Sequence, residues 1–288
     1  MIRTINDIYL DLRAEFRKKG IAGYQIEARD LVAFALDLSD EEFVAKRYQY
    51  IFDKDVQKIE ELKALRYSGV PLQHITGRWE FYGLPMEVTT DTLIPRPDTE
   101  TLVEVAVELL KTRSKGRILD LCCGTGCVGL ATLKNVSDGI TGVLADLSEP
   151  ALEVARRNVV HNGLSHRTLT YQVDALAEAS PLLGKFHMIL CNPPYIPTAD
   201  IMTLDVEVQR EPHMALDGGE DGLDFYRAVC RNFAPALNKG GILAFEVGLG
   251  QFEDVMNIMT DAGYTNVQFR CDLAGIERVV WGTWEPQA

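Results

Sequence analysis

Residues 118–130 read ILDLCCGTGCVGL, and this stretch decides the fold that the sequence predicts. It begins as an apolar strand, turns through Gly124 and Gly126, and continues as a helix past Gly129. Glycine permits a tight turn and lets a ligand approach the main chain, and the helix beyond the turn begins with free N–H groups. The spacing G-x-G-x-x-G is typical of dinucleotide sites, so a nicotinamide cofactor is one interpretation.

Asp120, in the strand before the glycines, favours a different ligand. A carboxylate here would crowd the negative pyrophosphate of a dinucleotide. It would suit a ligand with a positively charged amino group, and S-adenosylmethionine is such a ligand. The neighbouring Cys122, Cys123 and Cys127 have no second cysteine pair or histidine at zinc-ligand spacing, so we predict no metal site.

Strands and helices alternate from residue 98 onward. Beside GRILDL, the predicted strands are GVLADL, TLTYQV, FHMILC and GGILAFEV, and helical patterns separate them. Repeated strand–helix units predict a parallel sheet with helices on both faces. TNVQFRCD and ERVVWGTW close the chain without a helix between them, which predicts an antiparallel hairpin. The expected fold is therefore α/β, with a mostly parallel, seven-stranded sheet and an antiparallel last strand.

Three segments are predicted. Residues 1–70 show helical periodicity, as at Ile5, Ile8, Leu12 and Phe16, and predict a small helical-bundle domain. Residues 71–97 contain four prolines among aromatic and β-branched residues, and we interpret them as a β-hairpin linker. Residues 98–288 form the α/β domain.

Composition restricts the classes of function. The 288 residues carry a net charge of −13, whereas a protein that grips nucleic acid through phosphates normally has a basic face. We therefore expect no direct, tight nucleic-acid binding. No apolar run reaches the roughly 18 residues that a membrane span needs. Six cysteines without a signal peptide favour a reducing, cytoplasmic location.

Acids follow two further strands. Asp146 ends GVLADL, 20 residues after Gly126, where an acid can hydrogen-bond ribose hydroxyls. A helix-capping role for Asp146 is the alternative. Asp174 and Ala175 follow the next strand and form a candidate edge for an adenine ring, although any loop needs polar residues.

The strand FHMILC runs into Asn192-Pro193-Pro194-Tyr195. A residue before proline is pushed towards extended geometry, so this backbone is stiff. The Asn192 amide oxygen and the Pro193 carbonyl can together accept both hydrogens of a planar –NH2 group. Tyr195 can stack on a flat substrate. A turn that merely ends the strand is the alternative.

These motifs resemble the class I S-adenosylmethionine-dependent methyltransferases, and in particular the HemK/PrmC protein-(glutamine-N(5)) methyltransferases. Beside ILDLCCGTG and NPPYIP, the similar segments are PLQHITGRWEFYG, TLIPRPDTE, EPHMALDGGEDGLDFYR, FEVGLGQ and DLAGIERVVWG. They extend over nearly the whole chain. NPPY alone is shared with adenine and guanine amino-methyltransferases, whereas IPRPDTE and ALDGGEDGLDFYR are more specific.

The resemblance implies an enzyme with a Rossmann-like methyltransferase domain. Its implied substrate is the glutamine of the Gly-Gly-Gln loop of class I peptide-chain release factors, its methyl donor is S-adenosylmethionine and its product is S-adenosylhomocysteine. The resemblance also implies that the helical domain helps to bind the release factor. The implied cofactor residues are Asp120, Cys122, Cys123, Gly124, Thr125, Gly126, Asp146, Asp174, Ala175 and Asn192. The implied catalytic and substrate residues are Leu93, Arg96, Asn192, Pro193, Pro194 and Tyr195.

Two departures from the family pattern bear on these expectations. Cys122 and Cys123 stand where family members often have glycine, and Arg210 stands where an aromatic residue is common before Glu-Pro. The alternative functions are methylation of a glutamine in a ribosomal protein, methylation of a nucleic-acid base, or a non-enzymatic cofactor-binding module on the translation machinery. A nicotinamide oxidoreductase is disfavoured, since no acid–base pair presents itself for hydride chemistry.

Overall fold

The computed structural model describes residues 3–286, and the chain divides after Gly77 into two compact units. The N-terminal unit is helical. Its helices are α1 (Ile5–Lys19), α2 (Tyr24–Ala35), α3 (Asp40–Lys46), α4 (Asp53–Tyr67) and α5 (Leu72–Thr76). Capping boxes begin two of them: Thr4 exchanges hydrogen bonds with Asp7 at α1, and Ser39 exchanges them with Glu42 at α3.

The apolar stripes of these helices form the core of the N-terminal unit. Ile5, Ile8, Leu12 and Phe16 of α1 are buried, as their spacing predicts, and they pack with apolar residues of α2 and α4. Arg66 of α4 is also buried, and it forms a two-pronged ion pair with Glu27 of α2. This pair links the two helices beside the core.

The predicted linker, residues 71–97, differs from the structure at its start. Leu72–Thr76 form α5 and belong to the N-terminal unit, so the first unit extends to Gly77 rather than to residue 70. Pro71 begins this single turn, and Gly77, in the left-handed conformation, ends it. The proline and glycine that suggested a loop are therefore the two ends of a short helix. The hairpin itself is present, as β1 (Arg78–Phe81) and β2 (Leu84–Glu87).

The C-terminal unit is a seven-stranded α/β sheet, as predicted. After the hairpin, its strands are β3 (Gly116–Leu121), β4 (Ile140–Asp146), β5 (Thr168–Gln172), β6 (Phe186–Cys191), β7 (Leu237–Glu246), β8 (Tyr264–Cys271) and β9 (Glu277–Trp284). The helices are α6 (Glu100–Leu110), α7 (Cys127–Lys134), α8 (Glu149–His161), α9 (Asp224–Asn232) and α10 (Phe252–Asp261). Short 3-10 helices lie at Pro97–Thr99, Pro181–Leu183, Thr198–Thr203, Val208–Arg210, His213–Ala215 and Ala234–Ala236.

The strand order is β5-β4-β3-β6-β7-β9-β8, and β9 runs antiparallel to both of its neighbours. A buried hydrophobic cluster covers each face of the sheet. Along the chain, the strands proceed outward from β3 to β5 and then return to β6 on the other side of β3. Such a reversal opens a crevice at the carboxyl ends of the central strands, where open α/β sheets bind ligands. Among residues 3–286, no helix is both long and apolar enough to cross a membrane.

The buried ion pair of the N-terminal unit yields a stability prediction. Arg66 Nε donates to Glu27 Oε2 at 2.6 Å, and Nη2 donates to Oε1 at 3.2 Å. We expect Arg66→Met to lower the free energy of unfolding by about 2 kcal/mol, because it leaves the Glu27 carboxylate without its guanidinium partner. Urea unfolding of the full chain measures this change.

Lys46→Ala is the matched control. Lys46 pairs with Glu42 at 2.7 Å, but both side chains are well exposed, so we expect a loss within about 0.5 kcal/mol. Equal losses in the two variants would contradict the role of burial.

Candidate active site

A cavity of about 480 Å³ lies at the carboxyl edge of the sheet. This volume falls within the usual range for a small-molecule site. The cavity brings together most of the predicted site residues. These are Leu93, Arg96, Asp120, Cys122, Cys123, Gly124, Thr125, Asp146, Asp174, Ala175, Asn192 and Pro194. Gly126, Pro193 and Tyr195 are the predicted site residues that do not line it.

The glycine loop between β3 and α7 forms one wall of the cavity. Gly124 and Gly126 have φ angles of +51° and +79°, in the left-handed region that glycine tolerates best. Cys122 also has a positive φ, +58°, which explains why a glycine would suit that position. Cys123 does not have a positive φ. Of the two cysteines that depart from the family pattern, only Cys122 therefore carries left-handed backbone strain.

Asp120 is buried beneath this loop, with 2% of its surface exposed. Its Oδ2 accepts a hydrogen bond of 2.7 Å from the Gly129 amide of α7. A Cβ at Gly129 would stand only 2.9 Å from Asp120 and 2.4 Å from Leu144, so glycine is required for this approach of helix to strand. Burial raises the pKa of Asp120 to about 8, and the nearby Asp146 carboxyl adds to the effect.

Asp146 ends β4 and holds two backbone segments in place. Its Oδ2 accepts from the Gly124 amide at 2.8 Å, and its Oδ1 accepts from the Ser148 amide at 2.9 Å. Ser148 in turn caps α8. The side chain therefore supports the turn before that helix, but the cap itself is Ser148 and not, as the alternative interpretation had it, Asp146. Asp146 also lines the cavity. Asp174 and Ala175 line the cavity after β5.

Asn192 follows β6 directly, and its side chain is oriented by Thr99. Asn192 Nδ2 donates to Thr99 Oγ1 at 3.3 Å, and both residues line the cavity. This hydrogen bond uses the amide nitrogen, so it leaves Oδ1 as the acceptor of the Asn192 side chain. Thr99 was not predicted, and its only sequence signal was its place in the IPRPDTE motif.

Tyr195 does not line the cavity, and its stacking on a substrate stays a prediction. The ring packs against the hydrophobic cluster on one face of the sheet, with Cδ2 facing Gly248. Burial raises the pKa of its hydroxyl far above the ordinary range, and Glu246 contributes to this shift. Two prolines fix the backbone path before Tyr195, but they do not determine what the Tyr195 ring packs against.

Three glycines that sequence reasoning did not single out enclose Tyr195. A Cβ at Gly218 would lie 2.7 Å from Tyr195 Cα, and one at Gly222 would lie 2.4 Å from its carbonyl oxygen. A Cβ at Gly248 would lie 3.0 Å from the ring. Gln251 Nε2 donates to the Tyr195 carbonyl at 3.0 Å. These contacts explain why ALDGGEDGLDFYR and FEVGLGQ accompany NPPY in one chain.

Glu211 is a further residue that the prediction missed. It is buried, its Oε2 accepts from the Ile94 amide at 2.9 Å, and its Oε1 pairs with Arg96. Glu211 therefore fixes the segment that carries Leu93 and Arg96 along the cavity wall. Arg96 was predicted to order the site, and its ion pair with Glu211 is consistent with that role.

Comparison with known proteins identifies the family. Residues 7–77 match the family model of the PrmC N-terminal domain, and residues 98–209 match that of the methyltransferase small domain. A release factor glutamine methyltransferase of Bradyrhizobium diazoefficiens is 39% identical over 283 residues, which cover 96% of this chain and 94% of the relative. The chain belongs to the release factor glutamine methyltransferase family. The predicted family and the predicted methyltransferase enzyme are thereby confirmed.

Another relative named release factor glutamine methyltransferase is similar over nearly the same span. This protein, of Clostridium botulinum, is 34% identical, and the alignment covers 96% of this chain and 98% of the relative. Solved structures share the fold. The hMettl16 catalytic domain in complex with MAT2A 3'UTR hairpin 6 superposes with a TM-score of 0.59 at 14% identity, covering 84% of this chain and 86% of that one. The predicted fold class is confirmed.

The cavity wall offers acids and thiols among mostly apolar side chains. Among the residues that the structure describes, no group of three or more histidine, cysteine or acidic side chains is arranged to hold a metal ion. Cys122, Cys123 and Cys127 are free thiols, and burial raises the pKa of Cys127 to about 12, which opposes formation of a thiolate ligand.

The raised pKa of Asp120 predicts opposite effects of one substitution on stability and on binding. From pH 4 to 8 the folded state holds a proton on Asp120 that the unfolded state has released, so stability falls as pH rises through this window. Asp120→Asn removes this cost, and its side-chain oxygen can still accept the hydrogen bond from the Gly129 amide. We expect its melting temperature without ligand to exceed that of the wild type by an increment that grows from pH 5 to 8, as calorimetry would measure.

The same Asp120→Asn protein is expected to bind S-adenosylmethionine more weakly, because it has lost the carboxylate that would face a cationic amine. An increment in melting temperature that is independent of pH would contradict the assigned pKa.

The two loop cysteines yield a paired prediction. Cys122→Gly relieves a left-handed strain of about 1 kcal/mol, which offsets the entropic cost of a glycine, so we expect little net change in the free energy of unfolding. Cys123→Gly removes a buried side chain without relieving such strain, and we expect a loss of about 2 kcal/mol. Urea denaturation of both variants compares the two positions, and equal losses would contradict the assigned strain.

Proposed function

We propose that this protein transfers a methyl group from S-adenosylmethionine to the side-chain amide nitrogen of the glutamine in the Gly-Gly-Gln motif of class I peptide-chain release factors. The observation that carries the proposal is the orientation of Asn192. Its amide nitrogen is engaged by Thr99, so the acceptor Oδ1 remains for the –NH2 group of a glutamine side chain. Relatives named release factor glutamine methyltransferase, at 34% and 39% identity, support the choice of substrate.

The residues of the cavity fit the proposed cofactor. Asp120 is a buried carboxyl on the cavity wall, and no cation contributes to its raised pKa, so an amino group with a positive charge would supply a partner. Asp146 offers carboxylate lone pairs to ribose hydroxyls, and Asp174 and Ala175 offer an edge for adenine. When bound, S-adenosylmethionine supplies a methyl group on a positively charged sulfur.

The protein's own residues contribute by orienting the substrate amide. An amide nitrogen is a poor nucleophile, because its lone pair is delocalised over the carbonyl group. Asn192 Oδ1 and the Pro193 carbonyl accept its two hydrogens, which raises the electron density on nitrogen and fixes the direction of attack. Leu93 and Pro194 flank the glutamine, and Arg96, held by Glu211, orders the adjacent segment. The Tyr195 ring packs against the hydrophobic cluster beside this arrangement.

The N-terminal unit is proposed to contribute to recognition of the release factor. Its surface includes three well-exposed aromatic side chains in one segment, Tyr48, Tyr50 and Phe52. Exposed aromatic side chains in one segment are candidates for a contact with another protein. Modification of a whole release factor at a higher kcat/KM than a short Gly-Gly-Gln peptide would support this contribution, and equal values would exclude it.

The test of the proposal is mass spectrometry of a release factor incubated with the protein and S-adenosylmethionine. We expect one added methyl group on the glutamine of the Gly-Gly-Gln peptide, and none when the cofactor is omitted. No methylation of the release factor, with cofactor binding intact, would overturn the proposal and direct attention to a ribosomal protein or a nucleic-acid base.

Asn192→Ala tests the role of the amide directly. We expect it to abolish methyl transfer, because the acceptor for the substrate amide is lost, while the affinity for S-adenosylmethionine stays within about tenfold of wild type. Isothermal titration and the peptide assay measure the two quantities on one preparation. Full-rate transfer by Asn192→Ala would refute the assigned role.

A further inference from the structure

Arg278 is a largely buried cation at the carboxyl edge of the sheet. It lies near the start of β9, and β9 runs antiparallel to β7, so the start of β9 stands beside the carboxyl end of β7. The Val247 amide donates to the Arg278 carbonyl at 2.8 Å, and only 16% of the Arg278 side chain is exposed. The backbone of this arginine is therefore fixed at the edge where the cavity lies.

One arm of the Arg278 guanidinium is held by the turn between β8 and β9. Nε donates to Asp272 Oδ2 at 3.0 Å. Asp272 Oδ1 in turn accepts from the amides of Ala274 and Ile276, at 2.8 and 3.0 Å, and only 5% of the Asp272 side chain is exposed. Asp272 thus neutralises the buried cation and closes the turn without a second acid.

The other arm of the guanidinium reaches the segment before α6. Arg278 Nη2 pairs with Asp98 Oδ2 at 2.9 Å. Asp98 is the middle residue of the 3-10 helix Pro97–Thr99. Arg96 and Thr99 line the cavity, whereas Asp98 does not. The ion pair therefore holds a piece of the cavity wall through a residue that does not itself line the cavity.

A displacement of this short helix would affect Asn192. Thr99 Oγ1 accepts from Asn192 Nδ2 at 3.3 Å, slightly longer than the usual range of about 2.7–3.2 Å, so this hydrogen bond tolerates little further separation. Glu211 holds Arg96, before the helix, and the ion pair of Asp98 holds the residue next to Thr99. If the Thr99 contact were lost, nothing in it would keep the Asn192 amide nitrogen turned away from the substrate.

We propose that Arg278 is a positioning residue, which acts through Asp98 and Thr99 to hold the Asn192 side chain with its oxygen towards the substrate amide. The inference rests on the proposed function, since an acceptor oxygen is needed only if the substrate presents an –NH2 group. Neither Arg278 nor Asp98 lines the cavity, so the effect of their ion pair falls on kcat and not on the binding of S-adenosylmethionine.

Asp98→Ala tests the proposal, because it removes one arm of the contact and leaves the pair of Arg278 with Asp272. In the peptide assay we expect kcat to fall by about tenfold, with a smaller change in KM and unchanged affinity for S-adenosylmethionine. The melting temperature is expected to stay close to that of the wild type, since 49% of the Asp98 side chain is exposed.

Asp98→Asn is the conservative variant. Its side-chain oxygen can still accept from the Arg278 guanidinium, so we expect it to retain most of the wild-type kcat. A loss as large as that of Asp98→Ala would contradict positioning through this contact.

Thr99→Val tests the link to Asn192, because it removes the oxygen that accepts from the amide. We expect it to lower kcat at least as much as Asp98→Ala does. The double variant is expected to lose little more than Thr99→Val alone, since both substitutions act on one hydrogen bond. Multiplied losses in the double variant would overturn the link through Thr99.

Glu108→Ala is the matched control. Glu108 of α6 pairs with Arg270 of β8 at 2.6 Å, 53% of its side chain is exposed, and it does not line the cavity, so kcat is expected to stay unchanged. An equal loss in this control, or wild-type kcat in Asp98→Ala, would overturn the inference while leaving the proposed function intact. Absence of methylation by the wild-type protein would overturn the proposed function, and this inference with it.

Discussion

The parallel pairing of β3 with β6 is the constraint on which the rest of the site depends. It sets Leu121 opposite Cys191, so the glycine loop and Asn192 leave the sheet side by side. Adjacent parallel strands end at one edge, and the reversal of strand order there opens the space between their loops. The pairing of β6 with β7 extends the same logic, because it places Glu246 next to Asn192. Residues far apart in the sequence thus meet because the backbone register is fixed.

Close approach between backbone segments, at glycines, is the second constraint on the site. Gly129 lets α7 descend onto Asp120, and Gly218 and Gly222 let a distant loop close over the backbone around Tyr195. In each case an added methyl group would meet backbone or a buried neighbour at under 3 Å, so the glycine is required by space. These close contacts restrict the backbone of the segments that lead to the cavity.

The sequence predicted the sheet, the glycine loop and the position of Asn192, because all three depend on local pattern. Apolar runs separated by helical periodicity identify strands, and parallel connection brings their ends to one edge. It did not predict α5, since a single helical turn between Pro71 and Gly77 carries too little periodicity to distinguish it from a loop. Nor did it predict the direction of Tyr195, which is decided by glycines far along the chain, or the roles of Thr99 and Glu211, which exist only through long-range hydrogen bonds.

Two buried acids at the carboxyl edge of the sheet have raised pKa values. Burial raises the pKa of Asp120 to about 8 and that of Glu246 to about 7, and for neither is a dedicated cation nearby. Each is a cost to the cofactor-free fold, since a buried carboxyl with a raised pKa is destabilising at higher pH. A cationic ligand beside Asp120 would convert the cost of that acid into binding free energy. The two acids stand on strands β3 and β7, on either side of β6, so both costs arise at the carboxyl edge of the central strands.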